Sequence, residues 1–364
     1  MKESSVMPEQ GKRERLAGKT SRSDEVMVTG SLTQSTSDIG SLIEPYRREL
    51  YLHCYRLLGS LHDAEDMVQE TMLRAWRHFD TFKGSASLRT WLYTIATNTC
   101  LDALKKRGSR TLPARFSPAS DPMSPVAPRS AEELWLEPFP DSWLASAQEK
   151  AENPEARYTR SESISLAFLT ALQLLPPRQR AILILADVLD WRAAEIARLL
   201  ELSLSAVNSA LHRARVTLAK SYPSGQREAM RIHQADAETD ELLSRYLQAW
   251  ETDDVAQLVA LLKEDAILSM PPIPSWYQGR DAIHAFLLQK LGAHRQWRMF
   301  STHANGQPAY ILYLANETKD LYEAFGIQVI TLYSSRLPGQ ISEVTIFRNP
   351  SLVTSFGFPL QLSR

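Results

Sequence analysis

Two neighbouring segments between Ser60 and Arg107 carry charged and polar side chains at helical spacing. The first segment has an acidic face, whose outward side chains are predicted to be Asp63, Glu65, Asp66, Gln69 and Glu70. The second carries Asn98, Asp102 and Lys105 at steps of three and four residues and continues into the basic pair Lys105 and Lys106. Acid on one helix and base on the next suggests two partners of different chemistry, a protein and a nucleic acid. Each face by itself is also typical of an ordinary solvated helix surface.

A third polar face lies on a predicted helix in the middle of the chain. In LSAVNSALHRARVTLAK the apolar residues share one side, which leaves outside Ser205, Asn208, Ser209, His212, Arg213 and Arg215. Another predicted helix, WRAAEIARLL, precedes it, and the turn Glu201–Leu202–Ser203 separates the two. This arrangement matches a DNA-binding helix-turn-helix. A bundle of ordinary helices would give the same pattern, so that alternative stays open at this point.

The composition is ordinary for a globular protein, with 44% hydrophobic and 23% charged residues among 364. This length allows two or three domains of ~100–200 residues. The net charge of −1 gives no overall basic field, so nucleic-acid binding would depend on local basic patches. Cys54 and Cys100 lack metal-ligand or redox spacing and are interpreted as two buried thiols in a reducing cytoplasm. No secretion signal and no membrane span are predicted, and cytoplasmic localisation is expected.

Helical periodicity positions the polar faces along the chain. Residues 1–37 form a polar tail that is predicted to be disordered. In residues 38–110 a first helix ends at Gly59, and Ser60 is predicted to cap the next helix, with Asp63 completing a capping box. Phe82 is expected to be exposed in the loop before the following helix. The helix-turn-helix belongs to a second helical unit, residues 161–224.

Residues 111–160 are predicted to be a linker, because eight prolines between Pro113 and Pro154 disfavour a regular packed domain. The linker contains an apolar island, Leu134 to Leu144, with two tryptophans and a phenylalanine. Such side chains are poorly placed in water, so the island is expected to dock. The sequence leaves open whether it docks on this chain or on a partner.

Residues 235–364 have a different pattern, with helices first and β-rich segments afterwards. This order indicates an α+β domain, with a curved sheet wrapped on helices. The segment PPIPSWYQG, from Pro271 to Gly279, is predicted to be a loop. The strands are predicted to be Ala266–Met270 and the segments QWRMFSTHA, AYILYLA, YEAFGIQVITLY and ISEVTIFRN.

The two helical parts together resemble the extracytoplasmic-function sigma factors, within the sigma-70 family. LLGSLHDAEDMVQETMLRAWRHFDTFKGSASLRTWLYTIATNTCLDALKKR is similar to the second conserved region of that family. LTALQLLPPRQRAILILADVLDWRAAEIARLLELSLSAVNSALHRARVTL is similar to the fourth. The resemblance implies a multidomain protein with two all-α sigma domains, a helical bundle and a helix-turn-helix. It also implies a factor that directs core RNA polymerase to promoter DNA and assists promoter melting.

The resemblance assigns a role to each polar face. The acidic helix is implied to dock on the clamp helices of the polymerase. The loop with Phe82, Lys83 and Ser85 is implied to capture a base flipped from the non-template strand. The −10 element is implied to contact Asn98, Asp102, Lys105 and Lys106, and the −35 element the outer face of the helix-turn-helix. The family often has Gly where this chain has Glu201, so a non-Gly residue is expected in a left-handed turn, at ~1 kcal/mol.

The C-terminal part resembles the SnoaL-like domains of the nuclear-transport-factor-2-like fold, a cone-shaped curved sheet around a pocket. A subset of these sigma factors carries such a domain. A possible small-molecule pocket has six candidate lining residues: Asp265, Trp276, Tyr277, Arg280, His284 and His303. They assemble no acid–base pair from sequence alone, and no catalytic residue, metal or cofactor is predicted.

Two hypotheses follow for the C-terminal domain. In the first, the domain modulates a sigma factor, for example by clamping the two sigma domains through Trp135 and Trp143. In the alternative, it is a SnoaL-type small-molecule isomerase or cyclase fused to a DNA-binding module. The fold by itself does not decide between them.

Overall fold

The computed structural model describes residues 36–82, 84, 86–129, 134–144, 163–222, 237–291, 296–316, 321–333 and 340–363. Most of the predicted disordered tail therefore lies outside the described residues. Within these ranges no helix is long and apolar enough to cross a membrane.

The N-terminal bundle contains four helices: α1 (Thr36–Ile43), α2 (Arg47–Leu58), α3 (Leu61–Arg77) and α4 (Leu88–Lys106). Gly59 ends α2 in the left-handed conformation, with φ +71°. The apolar side of α3 is buried as its periodicity predicts, including Ala64, Val68 and Ala75. The polar side of α3 is therefore held outward.

Ser60 caps α3 as predicted, since its Oγ accepts the Asp63 N–H at 3.2 Å. The predicted capping box is wrong, because the Asp63 carboxylate binds Arg107 and Arg110 instead of turning back to the cap. A carboxylate of the linker binds the start of α3 instead. Glu137 Oε2 accepts the Leu61 N–H at 2.7 Å and the Ser60 hydroxyl at 2.9 Å. The N-terminus of the acidic helix is thus stabilised from 76 residues away.

The second helical unit follows the linker, whose described part includes the short α5 (Pro113–Phe116). It contains α6 (Leu166–Gln173), α7 (Pro177–Leu183), a π-helical turn (Ile184–Val188), α8 (Ala193–Leu199) and α9 (Leu204–Ser221). The predicted inner face of α9 is buried: Val207, Ala210, Leu211, Ala214 and Leu218. Glu201 has φ +53° in the turn between α8 and α9, so a non-Gly residue adopts the left-handed conformation there as expected.

The C-terminal domain is α+β, as predicted. Its helices are α10 (Ala237–Glu251), α11 (Val255–Ala260), α12 (Arg280–Leu291) and α13 (Ser351–Ser355). Its strands are β1 (Leu262–Met270), β2 (Ile273–Gln278), β3 (Trp297–Ala304), β4 (Gln307–Asn316), β5 (Leu321–Tyr333), β6 (Gln340–Phe347) and β7 (Gln361–Ser363). The sheet order is β2-β1-β6-β5-β4-β3, and β7 pairs with β5.

The predicted loop between Pro271 and Gly279 is wrong, because it contains strand β2. This strand pairs antiparallel with β1, placing Trp276 opposite Ser269. Three prolines and a glycine in or near the segment suggested a loop. An edge strand tolerates proline, which lacks one N–H, and β2 lies at the edge of the sheet.

Two hydrophobic cores hold the molecule together. One lies inside the cone of the C-terminal domain and includes Trp250 and Leu312. The other is continuous from the N-terminal bundle through the linker and the second helical unit to the outer face of the sheet, for example at Ile311. Leu136 and Phe139 of the apolar island are buried in this second core. The island therefore docks on its own chain.

Arg180 fixes the two helical units against each other. Its buried guanidinium donates to Leu57 O of α2 at 2.6 Å and to Ser109 Oγ at 3.0 Å. It also donates to the side chain and backbone of Gln173 in α6, at 2.6 and 3.0 Å. Burial lowers the pKa of Arg180 to about 10, so the group remains charged near neutral pH. The helical units are in direct contact in this closed arrangement.

Candidate polymerase and promoter interface

The exposed side of α3 carries a stripe of four residues, Asp66, Gln69, Leu73 and Trp76, called here the docking stripe. Their spacing of three and four residues places them on one face of the helix. Leu73 is 39% exposed and Trp76 is 45% exposed. Large apolar side chains beside a carboxylate are typical of a protein-binding surface. Leu73 and Trp76 were not predicted as binding residues, although both continue the acidic face at helical spacing.

The predicted acidic residues differ in their surroundings. Glu70 pairs with Arg74 at 2.6 Å, and Glu65 lies 3.8 Å from Arg47 and accepts the Gln69 amide at 3.1 Å. Asp66 is exposed and forms no ion pair in the described part of the chain. It is the carboxylate best placed for an outside partner.

Asp63 does not belong to the outward acidic face, which corrects the sequence prediction. Its carboxylate is mostly buried and pairs with Arg110, Oδ2 to Nη2, at 2.6 Å and with Arg107. Although burial acts in the opposite direction, these two guanidinium groups hold the pKa of Asp63 below its usual value. Asp63 therefore connects the start of α3 to the chain that follows α4.

A groove of about 470 Å³ lies where the end of α3 meets the start of α4. It is lined by Glu70, Arg74, Arg77, His78, Thr81, Trp91 and Ile95. Basic side chains beside the half-buried Trp91 ring suit a single-stranded nucleic acid, with phosphates on the cations and a base against the ring. Arg77, His78 and Trp91 were not predicted as binding residues. Their signal is a basic helix end opposite an aromatic residue on the next helix.

Phe82 packs beside the groove residue Trp91, and it is not exposed as predicted. It is half-buried against Trp91 and Phe79, with ring centroids 5.4 and 5.9 Å away. These aromatic contacts hold Phe82 against the bundle, because packing removes its ring surface from water. Lys83 and Ser85, which share its predicted role, lie outside the described residues.

The predicted polar stripe of α4 continues the groove along the helix. Asn98 follows Ile95 on the same face, is exposed, and forms no hydrogen bond in the described part of the chain. Asp102 pairs with Lys105 at 2.8 Å, and this hydrogen bond lowers the pKa of Asp102. Lys106 is exposed. A groove that leads to an amide and then to a basic helix end fits a nucleic-acid strand better than a single small ligand.

The outer face of α9 is exposed in full. Every residue predicted to face DNA is exposed: Ser205, Asn208, Ser209, His212, Arg213 and Arg215. Ser203 caps the helix by accepting the Ala206 N–H, and Ser205 lies 3.0 Å from its hydroxyl.

Arg215 differs from the other residues of this face. It forms a two-fold ion pair with Asp187, at 2.6 and 3.0 Å, which raises the pKa of Arg215. Asn208, Ser209, His212 and Arg213 have no such partner among the described residues. These four side chains are available to base edges.

The six residues proposed for a pocket in the C-terminal domain do not converge, so that expectation is wrong. Asp265 is exposed and pairs with Lys263, Arg280 donates to Leu262 O, and His303 is exposed near the opposite edge of the sheet. The Tyr277 ring stacks on Phe286 at 4.2 Å, and the Trp276 indole N–H donates a hydrogen bond to Ser117 O of the linker. His284 is half-buried. Within the described ranges no cluster of three metal-ligating side chains occurs.

A two-residue turn joins β3 to β4 and inserts Asn305 among three other segments. Asn305 and Gly306 have φ +58° and +71°, as an Asn-Gly hairpin requires. The buried Asn305 amide Nδ2 donates to Tyr55 OH of α2 at 3.0 Å and to Ile164 O before α6 at 2.6 Å. Its Oδ1 accepts the Phe139 N–H of the linker at 2.8 Å. One side chain therefore connects both helical units, the linker and the C-terminal domain.

Asp141 supports the same turn from the linker. Its two carboxylate oxygens accept the Gly306 N–H at 2.9 and 3.1 Å. Burial raises the pKa of Asp141 to about 6, although the N–H groups of Gly306 and Asn305 oppose the rise.

Three family models match the chain in the order of its structural units. Residues 42–110 match sigma-70 region 2, and residues 165–218 match sigma-70 region 4. Residues 243–337 match the SnoaL-like domain. The first two matches contain the groove, the docking stripe and the exposed face of α9.

Similar proteins are found over most of the chain. The chain is 44% identical over 326 residues to an ECF RNA polymerase sigma factor, SigG, of Mycobacterium tuberculosis, covering 88% of this chain and 84% of that protein. It is 28% identical over 179 residues to SigW, an ECF RNA polymerase sigma factor of Bacillus subtilis, covering 49% of this chain and 86% of that protein. Among solved structures, the extracytoplasmic function sigma factor SigJ of Mycobacterium tuberculosis matches with a TM-score of 0.52 at 22% identity, over 88% of this chain and 99% of that one. This last match supports the fold.

The closed junction should weaken as pH rises through about 6. Folded Asp141 holds its proton up to a pH of about 6, whereas in the unfolded chain its pKa is ~3.9. Its contribution to stability is complete below the unfolded pKa and is lost as pH rises through the folded pKa. Relative to Asp141→Asn, the wild type should lose about 1 kcal/mol of unfolding free energy between pH 5 and pH 7.5. Denaturant titrations of both proteins at these pH values measure the difference.

Other titrating groups, such as the buried neutral His53, are common to both proteins and cancel. Parallel pH profiles for the wild type and Asp141→Asn would contradict the assignment.

Proposed function

Since the chain belongs to the extracytoplasmic-function family of RNA polymerase sigma factors, we propose that it docks on core polymerase through α3 and reads promoter DNA through the α3–α4 groove and α9. It is a transcription initiation factor and not an enzyme, and its partners are core RNA polymerase and promoter DNA. The observation that carries the assignment of surfaces is the exposure of separate polar faces on two helical units. We place the protein in the cytoplasm, where the polymerase acts.

Polymerase docking is assigned to the docking stripe. Asp66 supplies a carboxylate that has no ion pair among the described residues. Leu73 and Trp76 supply exposed apolar surface that is removed from water on binding. Gln69 lies within this surface, and the carboxylates of Glu65 and Glu70 flank it and steer a basic partner. Asp63 holds α3 in place through Arg110 and is not expected to touch the polymerase.

Promoter contact is assigned to two surfaces. The groove and the stripe from Asn98 to Lys106 contact the −10 element as it opens. A base leaving the stack is stabilised by an aromatic surface, here Trp91 with Phe82, and the strand by Arg77 and the lysines. The end of α9 that begins at Leu204 enters the −35 major groove, where Asn208, His212 and Arg213 reach base edges.

The C-terminal domain is proposed to modulate this activity by favouring the closed arrangement. Its Asn305 turn bonds both helical units and the linker, and its outer sheet face belongs to their common core. The isomerase or cyclase alternative lacks a supporting observation, because the candidate polar groups are dispersed.

Asp66→Arg should weaken binding to core RNA polymerase at least about tenfold, since it places a cation where the partner surface is matched to a carboxylate. The fold should remain intact, because Asp66 is exposed and forms no ion pair or hydrogen bond among the described residues. Binding to core polymerase of Mycobacterium tuberculosis and transcription from a template pool randomised at −35 and −10 are the two measurements. Binding and transcription should fall together.

Glu251→Arg is the matched control, because it makes the same charge change on an exposed residue of the C-terminal domain. Unchanged core affinity of Asp66→Arg would remove α3 from the docking surface. If the wild type supports no promoter-dependent transcription with any core polymerase it binds, the proposed function is wrong.

Arg213→Ala should weaken −35 recognition by ~1–3 kcal/mol if the guanidinium bonds a base edge. Transcription from the selected promoters should fall, and the preference for those −35 sequences over scrambled ones should shrink. Arg245→Ala removes the same charge from an exposed site of the C-terminal domain and should change neither quantity. An unaltered −35 preference in Arg213→Ala would exclude Arg213 from base contact.

A further inference from the structure

The linker covers edge strands of the C-terminal sheet. In the strand order β2-β1-β6-β5-β4-β3, the two outer strands are β2 and β3. An uncovered edge strand presents unpaired N–H and C=O groups that bind extended peptides. Here the first part of the linker lies on β2, and a later part lies at the end of β3.

At β2 the linker is held by backbone and side-chain bonds around Trp276. Ser120 N–H donates to Trp276 O at 2.8 Å, and the Trp276 indole N–H donates to Ser117 O at 2.8 Å. Further along, the Ala127 N–H donates to Ser275 Oγ at 3.0 Å. These bonds give β2 a partner on its open side.

At β3 the linker is held next to the Asn305 turn. The Asn305 N–H donates to Phe139 O at 2.9 Å, while the Phe139 N–H donates back to the Asn305 side chain. Pro140 lies opposite Ala304 in an antiparallel bridge, and the Asp141 N–H donates to His303 O at 3.2 Å. Glu137, two residues before Phe139, caps α3 by accepting the Leu61 N–H.

The binding faces of the helical units stay open while the linker is held. Asp66, Leu73 and Trp76 are exposed, and so are Asn208 and Arg213 of α9. The C-terminal domain therefore binds the linker and leaves exposed the residues assigned to polymerase and DNA.

The closed arrangement holds the two helical units in direct contact, whereas the two promoter elements are well separated. Positions named −35 and −10 are about 25 base pairs apart, which is ~85 Å along B-DNA. Arg180 holds the two helical units in direct contact. With the linker fixed up to Leu144, about 18 residues remain before Ser163, and these span at most ~60 Å when fully extended. Moving the units apart along the DNA breaks the Arg180 bonds and the bonds of Asn305 to Tyr55, Phe139 and Ile164, and release of the bound linker residues lengthens the tether between the units.

From these contacts we propose that the C-terminal domain is a peptide-binding module for the linker. Polymerase binds the docking stripe first, while the domain still holds the linker, and promoter engagement releases the linker afterwards. The bound peptide is residues 117–129 and 134–141 of the same chain, as far as the structure describes them. The docking stripe is available before release, and separation of the helical units requires release. This inference rests on the proposed function, and the tests below distinguish its failure from the failure of that function.

Hydrogen exchange of the full-length protein tests the order of events. Peptides that contain Ser120, Ala127 and Asp141 should be protected in the free protein. Protection should persist on binding a polymerase fragment that carries the clamp helices, and should fall at least about tenfold in the complex of whole polymerase with promoter DNA. Loss of protection with the fragment alone, or its persistence in the promoter complex, would overturn the proposal.

A reversible lock tests whether release is required. Residues opposite each other in an antiparallel bridge have Cα atoms ~4.5–5.5 Å apart, which is within the range of a disulfide. Pro140→Cys with Ala304→Cys should therefore join the linker to β3 under oxidation. The oxidised protein should bind the clamp fragment within about twofold of the reduced one and should lose at least about tenfold in transcription, which reduction restores.

The two single-cysteine variants and the wild type, under the same oxidant, are the controls, because Cys54 and Cys100 are buried. Equal transcription by the oxidised and reduced forms would overturn the proposal, and so would loss of clamp binding on oxidation. If the reduced form and the wild type both fail to transcribe, the proposed function fails instead. If only the reduced double variant fails, the exchange measurement on the wild type decides.

Discussion

The closed arrangement depends on the buried amide of Asn305, which has hydrogen-bond partners in three other parts of the chain. An amide without partners in such a place would be strongly unfavourable, so the site is satisfied only when Tyr55, Phe139 and Ile164 are assembled around it. Arg180 imposes a similar condition between α2 and α6. Hydrophobic packing holds the units together, whereas these polar groups fix one relative orientation.

The local features of the structure could be predicted from the sequence, because they depend on spacing within one element. The buried side of α9, the Gly59 helix end, the Ser60 cap and the left-handed Glu201 all follow from periodicity and backbone preference. The exposed polar face of α9 follows from the same periodicity. For the same reason Leu73 and Trp76 were visible in principle, since they repeat the spacing of Asp66.

Features that depend on distant partners could not be predicted. Asp63 has the position of a capping-box residue, but its carboxylate binds Arg110, 47 residues later, instead of the backbone N–H of Ser60. Strand β2 is rich in loop-forming residues, and it exists because β1 and the linker lie on either side. The six polar residues of the supposed pocket failed for a related reason. Sequence gives their types, but the curvature of the sheet decides which of them face each other.

The prolines of the linker explain how it can be held and still be released. A strand with a full ladder of backbone bonds would bind an edge strand strongly, but proline donates none and restricts the residue before it. The contacts of the linker with the two edge strands are accordingly short: an isolated bridge between Pro140 and Ala304, and single bonds near Ser120. Apolar burial of Leu136 and Phe139 adds affinity without a continuous ladder. A peptide bound by several weak, separate contacts can leave stepwise, and polymerase and DNA need to replace only one contact at a time.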